Sequence, residues 1–396
     1  MNVIIYENKE CRKNLLPFTY TRAIAQIRVG IFTLLEKWEK HLKASINEFD
    51  FDIENTEKIK TETLYINASC LPTSTLAQSV NSLYTGEKLT DNNDELIAFK
   101  TSDETSIDKL AKRILDEEPK FLKKSWDIFA HNGEQIRNDF PLAIDGKQSE
   151  PIEDPYTIVY NPRQVFIEKG VKIRAAILNA DNGPIYIGKN AEIQENSVIQ
   201  GPFGLCEGAV INMGGKMRRN TTIGPYSKVG GEISNSVILG YSNKGHEGFL
   251  GNSVIGEWCN LGADTNTSNL KNNYSEVKVW DYNTEKLSGT GLQFCGLLMG
   301  DHSKAGINTM FNTGTVVGIA ANIYGGGFPP KFIPSFSWGG ADGFTTHAFD
   351  KMLDTAEKVM ARRLRKLEKE DIENLKNIFE KTRKFRLWEQ KESINV

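Results

Sequence analysis

Ile187-Gly188-Lys189-Asn190-Ala191-Glu192-Ile193-Gln194-Glu195-Asn196-Ser197-Val198-Ile199-Gln200-Gly201-Pro202-Phe203-Gly204-Leu205 decides the fold. Every sixth residue is aliphatic, and the spacing runs on through Ile211, Met217, Ile223 and Val229. It returns at Ile255 and Leu261, then at Met299, Ala305, Phe311, Val317 and Ile323. Neither an amphipathic helix nor an ordinary strand has a strict period of six. A left-handed parallel β-helix does, because each triangular coil has three six-residue sides. The aliphatic is expected to point into the prism. Glycine often comes next, as in Ile223-Gly224 and Ile255-Gly256, and is expected to permit the corner turn. A sandwich of short strands would be spaced irregularly.

Outward from that stretch, three textures divide the 396 residues into expected domains 1–150, 151–330 and 331–396. The first mixes strands and helices and reads as an α/β domain. Asn2–Tyr6, Leu64–Asn67 and Leu96–Phe99 read as strands. Ala23–Lys40, Thr105–Asp116 and Trp126–Phe140 carry helical spacing. Lys43–Glu62 is polar and acidic and reads as an exposed insertion. The six-residue texture occupies 167–328 and breaks twice. Gly230–Phe249 shifts the phase by two, and Asn269–Gln293 reads as a long loop off one corner, a usual place for a site. Gly325–Phe344 is too rich in Gly, Pro and aromatic residues for helix. From Thr345 the chain turns helical, with Phe349, Met352, Leu353, Ala356, Val359 and Met360 as the apolar stripe. The charge run Arg362–Glu370 reads as a solvated helix face.

A net charge of −3 argues against non-specific nucleic-acid binding. No apolar run is long enough to span a membrane. MNVIIYENKECRKN has no charged lead before a long apolar stretch, so no secretory signal is expected. The five cysteines form no C-x-x-C pair, which argues against zinc ribbons and redox dithiols and fits a reduced, cytoplasmic setting.

The densest polar constellation lies at the first break and on the coils after it. It runs from Tyr241-Ser242-Asn243-Lys244-Gly245-His246 through Asn260-Leu261-Gly262-Ala263 to Asn269 and Tyr274. Stacked coils superpose equivalent corners, so residues far apart in sequence converge. The run His246-x-x-Phe-Leu-Gly-x-x-x-Ile-Gly-x-x-x-Asn-Leu-Gly-Ala-x-Thr-x-x-x-Asn resembles the acetyltransferase signature of the bifunctional N-acetylglucosamine-1-phosphate uridyltransferase/glucosamine-1-phosphate acetyltransferases. It is also similar to archaeal sugar-1-phosphate nucleotidylyltransferases with a β-helical tail. The whole chain, including RAIAQIRVGIFTLLEKWE and SWGG, resembles a family of sugar nucleotidyltransferases related to those enzymes.

The resemblance implies a fold and a set of roles. The fold is an α/β nucleotidyltransferase-like domain, then a left-handed β-helix, then a C-terminal α-helix. His246 matches the general base that takes a proton from a sugar amine attacking acetyl-CoA. Asn243, Lys244, Asn260, Asn269, Tyr274 and Lys278 are the expected substrate contacts, and Gly262 and Ala263 the acetyl-CoA contacts. Partners are an amino-sugar 1-phosphate of the glucosamine-1-phosphate kind, acetyl-CoA and two further copies in a homotrimer. The pattern departs from the family at Glu232, near an expected Lys, and at Leu270 and Phe249, each in place of Tyr. Lys216, Arg218 and Arg219 are candidates to compensate. His302 is expected to be structural. His41 and His131 have no neighbours in sequence that would make them ligands.

In the first domain the family's glycine-rich phosphate loop is missing after Val3–Tyr6. Arg12, Lys13, Arg22 and Arg28 remain as phosphate contacts, and no carboxylate pair for Mg²⁺ is visible, although an active domain would use that ion. The domain is either an active or a vestigial nucleotidyltransferase, or a cap over the first coil. Two alternatives therefore stand beside acetyl transfer: nucleotidyl transfer alone with the β-helix as a trimerisation stem, or a non-catalytic sugar-nucleotide-binding scaffold.

Overall fold

The computed structural model describes residues 2–46, 48–50, 61–102 and 105–392. Contacts divide the chain into two compact units. The first comprises Met1–Leu15, Arg22–Arg28 and Phe32–Ser125, and the second Leu16–Thr21, Val29–Ile31 and Trp126–Val396. The division thus falls at Ser125 rather than near residue 150.

The first unit is built on a six-stranded mixed sheet. Asn2–Tyr6 lies parallel to Glu48–Asp50 on one side and to Thr63–Asn67 on the other. Leu96–Thr101 then pairs antiparallel with Thr63–Asn67. All three strands read from the sequence are there. Two helices are not where the spacing placed them. Helix α1, Lys9–Asn14, directly follows the first strand, and the Asn8 side chain accepts from the amides of Glu10 and Cys11. Helix α2 is Leu34–Leu42, not Ala23–Lys40, because Thr33 and Glu36 form a reciprocal capping box that fixes its start. Ile24–Gln26 is only a 3₁₀ turn. Thr105–Asp116 is not helical either. Ala111–Ile114 is a strand parallel to Glu87–Thr90, so sheet pairing overrides the local spacing. Helix α3 spans Ser74–Asn81. Of the expected insertion Lys43–Glu62, residues 47 and 51–60 lie outside the described residues.

The second unit is a parallel β-helix with one helix at its start and three at its end. Helix α4, Asp127–Ile144, extends past the predicted Phe140 and carries His131 into this unit. Its buried face is polar as well as apolar. Asn132 Oδ1 accepts from Gly30 N at 2.7 Å and from Thr222 Oγ1 at 3.1 Å, and Asp139 Oδ2 from Ile31 N at 2.8 Å. The coil begins earlier than residue 167. Its first face opens with Ile158–Tyr160, its second with Val165–Ile167 and its third with Lys172–Ile173. The second face stacks nine strands and the third ten. The third ends in Ser337–Gly340, the SWGG segment, and an antiparallel hairpin partner Gly343–Thr346. The Gly/Pro/aromatic stretch is therefore the last coil and not a linker.

The hexad aliphatics fill the prism, as expected. Ile187, Ile199, Leu205, Ile223 and Ile255 all belong to one buried cluster. The role of the following glycine differs from the expectation. Gly188 and Gly224 do not have positive φ; a Cβ there would fall 2.8 Å from Glu207 N and 2.0 Å from Leu239 O of the next coil. Glycine is needed for the close approach of stacked coils. The left-handed turn lies further along the corner, at Tyr226 (φ 56°), Tyr241 (53°), Trp258 (61°), His302 (59°) and Phe336 (59°). Positive φ at aromatic residues is uncommon. Stacking compensates. Tyr226 lies 5.4 Å from Tyr241, Tyr241 4.3 Å from Trp258 and Trp258 6.4 Å from His302, all near-parallel. His302 lies buried at the end of this stack.

The register explains the first phase break. Each face-to-face step between interior residues is normally six residues. Val229 to Ile233 is only four, while Ile233 to Ile238 and Leu250 to Ile255 are five each. The coil loses four residues over two turns, which in a six-residue period reads as a gain of two. At the second break Ile255 pairs with Met299, 44 residues on. The excess chain forms the antiparallel hairpin Lys278–Asp281 and Lys286–Gly289. Its Trp280 and Tyr282 pack with Phe332 and Phe385.

The C-terminus is three helices rather than one. Helix α5 is Phe349–Ala361, α6 Lys369–Lys381 and α7 Leu387–Glu392. The charge run is not a continuous helical face, since Arg362–Leu364 is a turn. Met352, Ala356, Leu375 and Ile378 form a second core with Ile319 and Phe336. Arg386 is fully buried. Its guanidinium bonds Glu389 Oε1 at 2.6 Å, Thr382 Oγ1 at 3.2 Å and Phe379 O at 3.0 Å, and lies over the Phe379 ring.

Candidate functional site

The pinched corner Val229–Ile233 is followed one coil later by a full corner, Lys244 to Leu250. Two extra residues therefore bulge beneath it, and His246 stands at their tip. The bulge's carbonyls are all accounted for. Gly230 N and Glu232 N from the coil above reach Lys244 O and Gly248 O. Asn212 Nδ2 takes Gly245 O at 2.7 Å. Lys244 Nζ takes His246 O at 2.6 Å and Glu247 O at 2.9 Å.

Lys244 therefore does not fill the role expected of it. It pairs in register with Val229 and occupies an inward position of the prism, 1% exposed. Burial pulls its ammonium down to about 8, against the opposing field of Glu247 and Asp264. It is a strut under the His246 backbone and not a surface contact.

The structure gathers much of the remaining set. A cleft of about 640 Å³ on the third face is lined by Asn243, Gly245, His246, Asn260, Gly262 and Ala263, together with Tyr241 and Trp258. The His246 imidazole is exposed. Gly262 stacks so closely that a Cβ would sit 2.6 Å from Ile307 N. The opposite wall is Val359, Arg362 and Arg363, at the end of α5. Sequence reasoning missed these, and also Lys228 and Lys304. Arg363 Nη2 donates to Asn243 Oδ1 at 3.3 Å. Cys259 also borders the cleft, but burial pushes its thiol up to about 12 and its Sγ lies 3.2 Å from Gly300 O. It is held as a thiol and is unsuited to carry an acyl group.

Three expected contacts lie elsewhere. Asn269 donates to Asn252 Oδ1 at 2.8 Å and lines a second depression with Arg137, Arg218, Arg219 and Phe294. Tyr274 and Lys278 are exposed on the excursion and line neither cleft. Of the compensating cations, Lys216 pairs with Glu247 at 3.2 Å and Arg218 with Glu232 at 3.0 Å.

In the first unit, Arg12 is committed to Glu7, whose carboxylate also accepts from Ile24 N. Burial raises the Glu7 carboxyl and the Arg12 guanidinium opposes that rise. Arg22 is buried and Lys13 exposed. Arg28 reaches Glu36 at 3.4 Å. His41 sits in the last turn of α2, where burial lowers its ring below the usual range. Among the described residues no three His, Cys, Asp or Glu side chains gather to hold a metal ion such as Mg²⁺. No helix among them is long and apolar enough to cross a membrane.

Residues 3–148 match the family described as sugar nucleotidyl transferase. The bifunctional sugar-1-phosphate nucleotidylyltransferase/acetyltransferase of Sulfurisphaera tokodaii is 32% identical over 171 residues, covering 43% of this chain and 40% of that protein. The bifunctional protein GlmU of Methanocaldococcus jannaschii is 34% identical over 102 residues, 26% of this chain and 23% of its own length. The uncharacterized acetyltransferase YaiX of Escherichia coli O6:K15:H31 is 30% identical over 153 residues, 38% of this chain and 66% of its own. Among solved structures, the polySia-specific acetyltransferase NeuO overlaps 48% of this chain and 85% of its own at 14% identity, with a TM-score of 0.26. The chain thus spans two fifths or less of the first two of these relatives. Its architecture is a nucleotidyltransferase-like N-terminal domain, a parallel β-helix and C-terminal helices.

Proposed function

We propose that the β-helix transfers an acetyl group from acetyl-CoA to the amine of an amino-sugar 1-phosphate, with His246 as general base. The carrying observation is the bulged corner that presents the His246 imidazole at the mouth of a cleft lined by Asn243, Asn260, Gly262 and Ala263. The imidazole takes a proton from the sugar ammonium or attacking amine. The nitrogen adds to the thioester carbonyl, the C–S bond breaks, and the thiolate of CoA leaves with a proton returned from the imidazolium. The raised thiol of Cys259 favours this direct transfer over an acyl-enzyme. Such a base contributes roughly 10²–10⁴-fold. His246→Ala is expected to lower acetyl transfer by about that factor in a free-thiol assay over a panel of amino-sugar 1-phosphates, with unchanged melting. Turnover equal to wild type would overturn the assignment.

A homotrimer in a cytoplasmic setting belongs to the same reading. Support comes from the corner column of His246, which exposes Met213, Ile307 and Tyr324, apolar residues suited to a neighbouring copy. Nucleotidyl transfer by the first unit is a second reading, favoured by the family match over 3–148. It would form a sugar nucleotide and release pyrophosphate from a nucleoside triphosphate and a sugar 1-phosphate.

A further inference from the structure

Four cations face the His246 cleft and no carboxylate does. Lys228 and Lys304 come from the third face, Arg362 and Arg363 from the end of α5. Lys228 and Lys304 belong to one outward column in which Lys228 pairs with Asn243, Asn243 with Asn260 and Asn260 with Lys304. At about 4.8 Å per strand step the column spans roughly 14 Å. None of the four has a carboxylate within ion-pair distance among the described residues. Among the described residues, Lys304 Nζ donates to the His302 carbonyl alone, at 3.0 Å, and Arg363 to the Asn243 amide oxygen alone. Burial pulls Lys304 and Arg363 below their usual ranges, and Arg362 adds to the effect on Arg363. The end of a helix favours cations, yet four unneutralised charges facing one cleft repel one another and focus a positive potential into it. Tyr241 and Trp258, their faces stacked on each other, add apolar ring edges beside them. Phosphate groups attached to an aromatic base satisfy both features.

We propose that Arg362 and Arg363 of this chain's own α5 terminus, with Lys228, form a phosphate-binding wall that holds the nucleotide end of the acyl donor while its thioester reaches His246. The acyl donor is that of the reading above, on which this proposal rests. Both walls come from the second unit of one chain. Guanidinium groups suit the task, since each can hold a phosphate through paired N–H donors.

The test is calorimetric binding to the full chain and to the double variant Arg362→Gln/Arg363→Gln. Arg362 is exposed and Arg363 partly so, hence the variant keeps its melting temperature. Three probes are used: CoA, pantetheine (which lacks the phosphates) and UDP. The variant is expected to bind CoA about 10- to 100-fold more weakly, with pantetheine binding unchanged and a shallower salt dependence. Equal CoA affinity in the two proteins overturns the proposal and leaves the acetyl-transfer reading standing. If wild type ignores CoA but binds UDP through these arginines, the phosphate wall stands, and both the acyl-donor role and the acetyl-transfer reading fall.

Discussion

Replacing Lys244 by Met removes one ammonium and keeps the length of the side chain inside the prism. In the wild type, Glu247 O also accepts from Asp264 N at 3.0 Å, so it keeps a partner. His246 O loses the 2.6 Å bond from Lys244 Nζ. One buried carbonyl left unpaired costs about 1–3 kcal/mol, partly offset by no longer burying a charge. At pH 7 the expected net loss is therefore about 1–2 kcal/mol. The pH dependence is more telling. The folded ammonium titrates near 8 instead of 10.5. Between those values the unfolded chain holds a proton that the folded chain has shed, so wild-type stability rises with pH across that window. The slope is at most about 1.4 kcal/mol per pH unit. The variant lacks it. Urea unfolding followed by β-sheet circular dichroism at pH 7, 8, 9 and 10 should show the gap between the two proteins widening above pH 8. A gap that stays flat or narrows from pH 8 to 10 would refute the buried strut.

Two further substitutions probe the ends of the chain. Arg386→Met strips the buried guanidinium from Glu389, Thr382 and Phe379 O, and should loosen α6 and α7 by about 3 kcal/mol. Limited proteolysis should then release the segment after α5 while the coil stays intact. Arg12→Met leaves the Glu7 carboxylate buried without its cation, at a cost of about 2–4 kcal/mol at pH 7, because the guanidinium is itself one-third exposed. A raised carboxyl contributes stability below its unfolded value and loses it as pH rises through the folded one. The deficit should therefore grow from pH 4 to pH 7 in thermal melts of the full chain.

The hexad aliphatics made the coil legible, because a prism interior tolerates little else and repeats with the chain. Lys244 was not legible in its true role. Counting eighteen from Val229 points at Glu247, and only the pairing of Met217 with Ile233 shows that the corner between Val229 and Ile233 is short. The clue in the sequence was Gly230-Gly231, which lets the chain cut that corner. His246 was legible from its motif, with Asn260, Gly262 and Ala263. Arg362 and Arg363 were not, since a basic run beyond a helix looks alike whether it faces water or a cleft some hundred residues back. Asn269 was placed with His246 because it shares the motif, yet its side chain turns to Asn252 around the next corner. Tyr226, Tyr241 and Trp258 gave no warning of their left-handed backbone, because aromatic residues seldom adopt it unless neighbouring coils supply rings to stack on.

That ladder makes the protein its own optical probe. Tyr226 and Tyr241 stand in line with Trp258, near enough to pass excitation along the column to the indole. Trp258 and Tyr241 form part of the cleft wall, and His302 closes the stack on the far side. A molecule entering the cleft should therefore change the light leaving Trp258, one of six tryptophans, and report occupancy without any label.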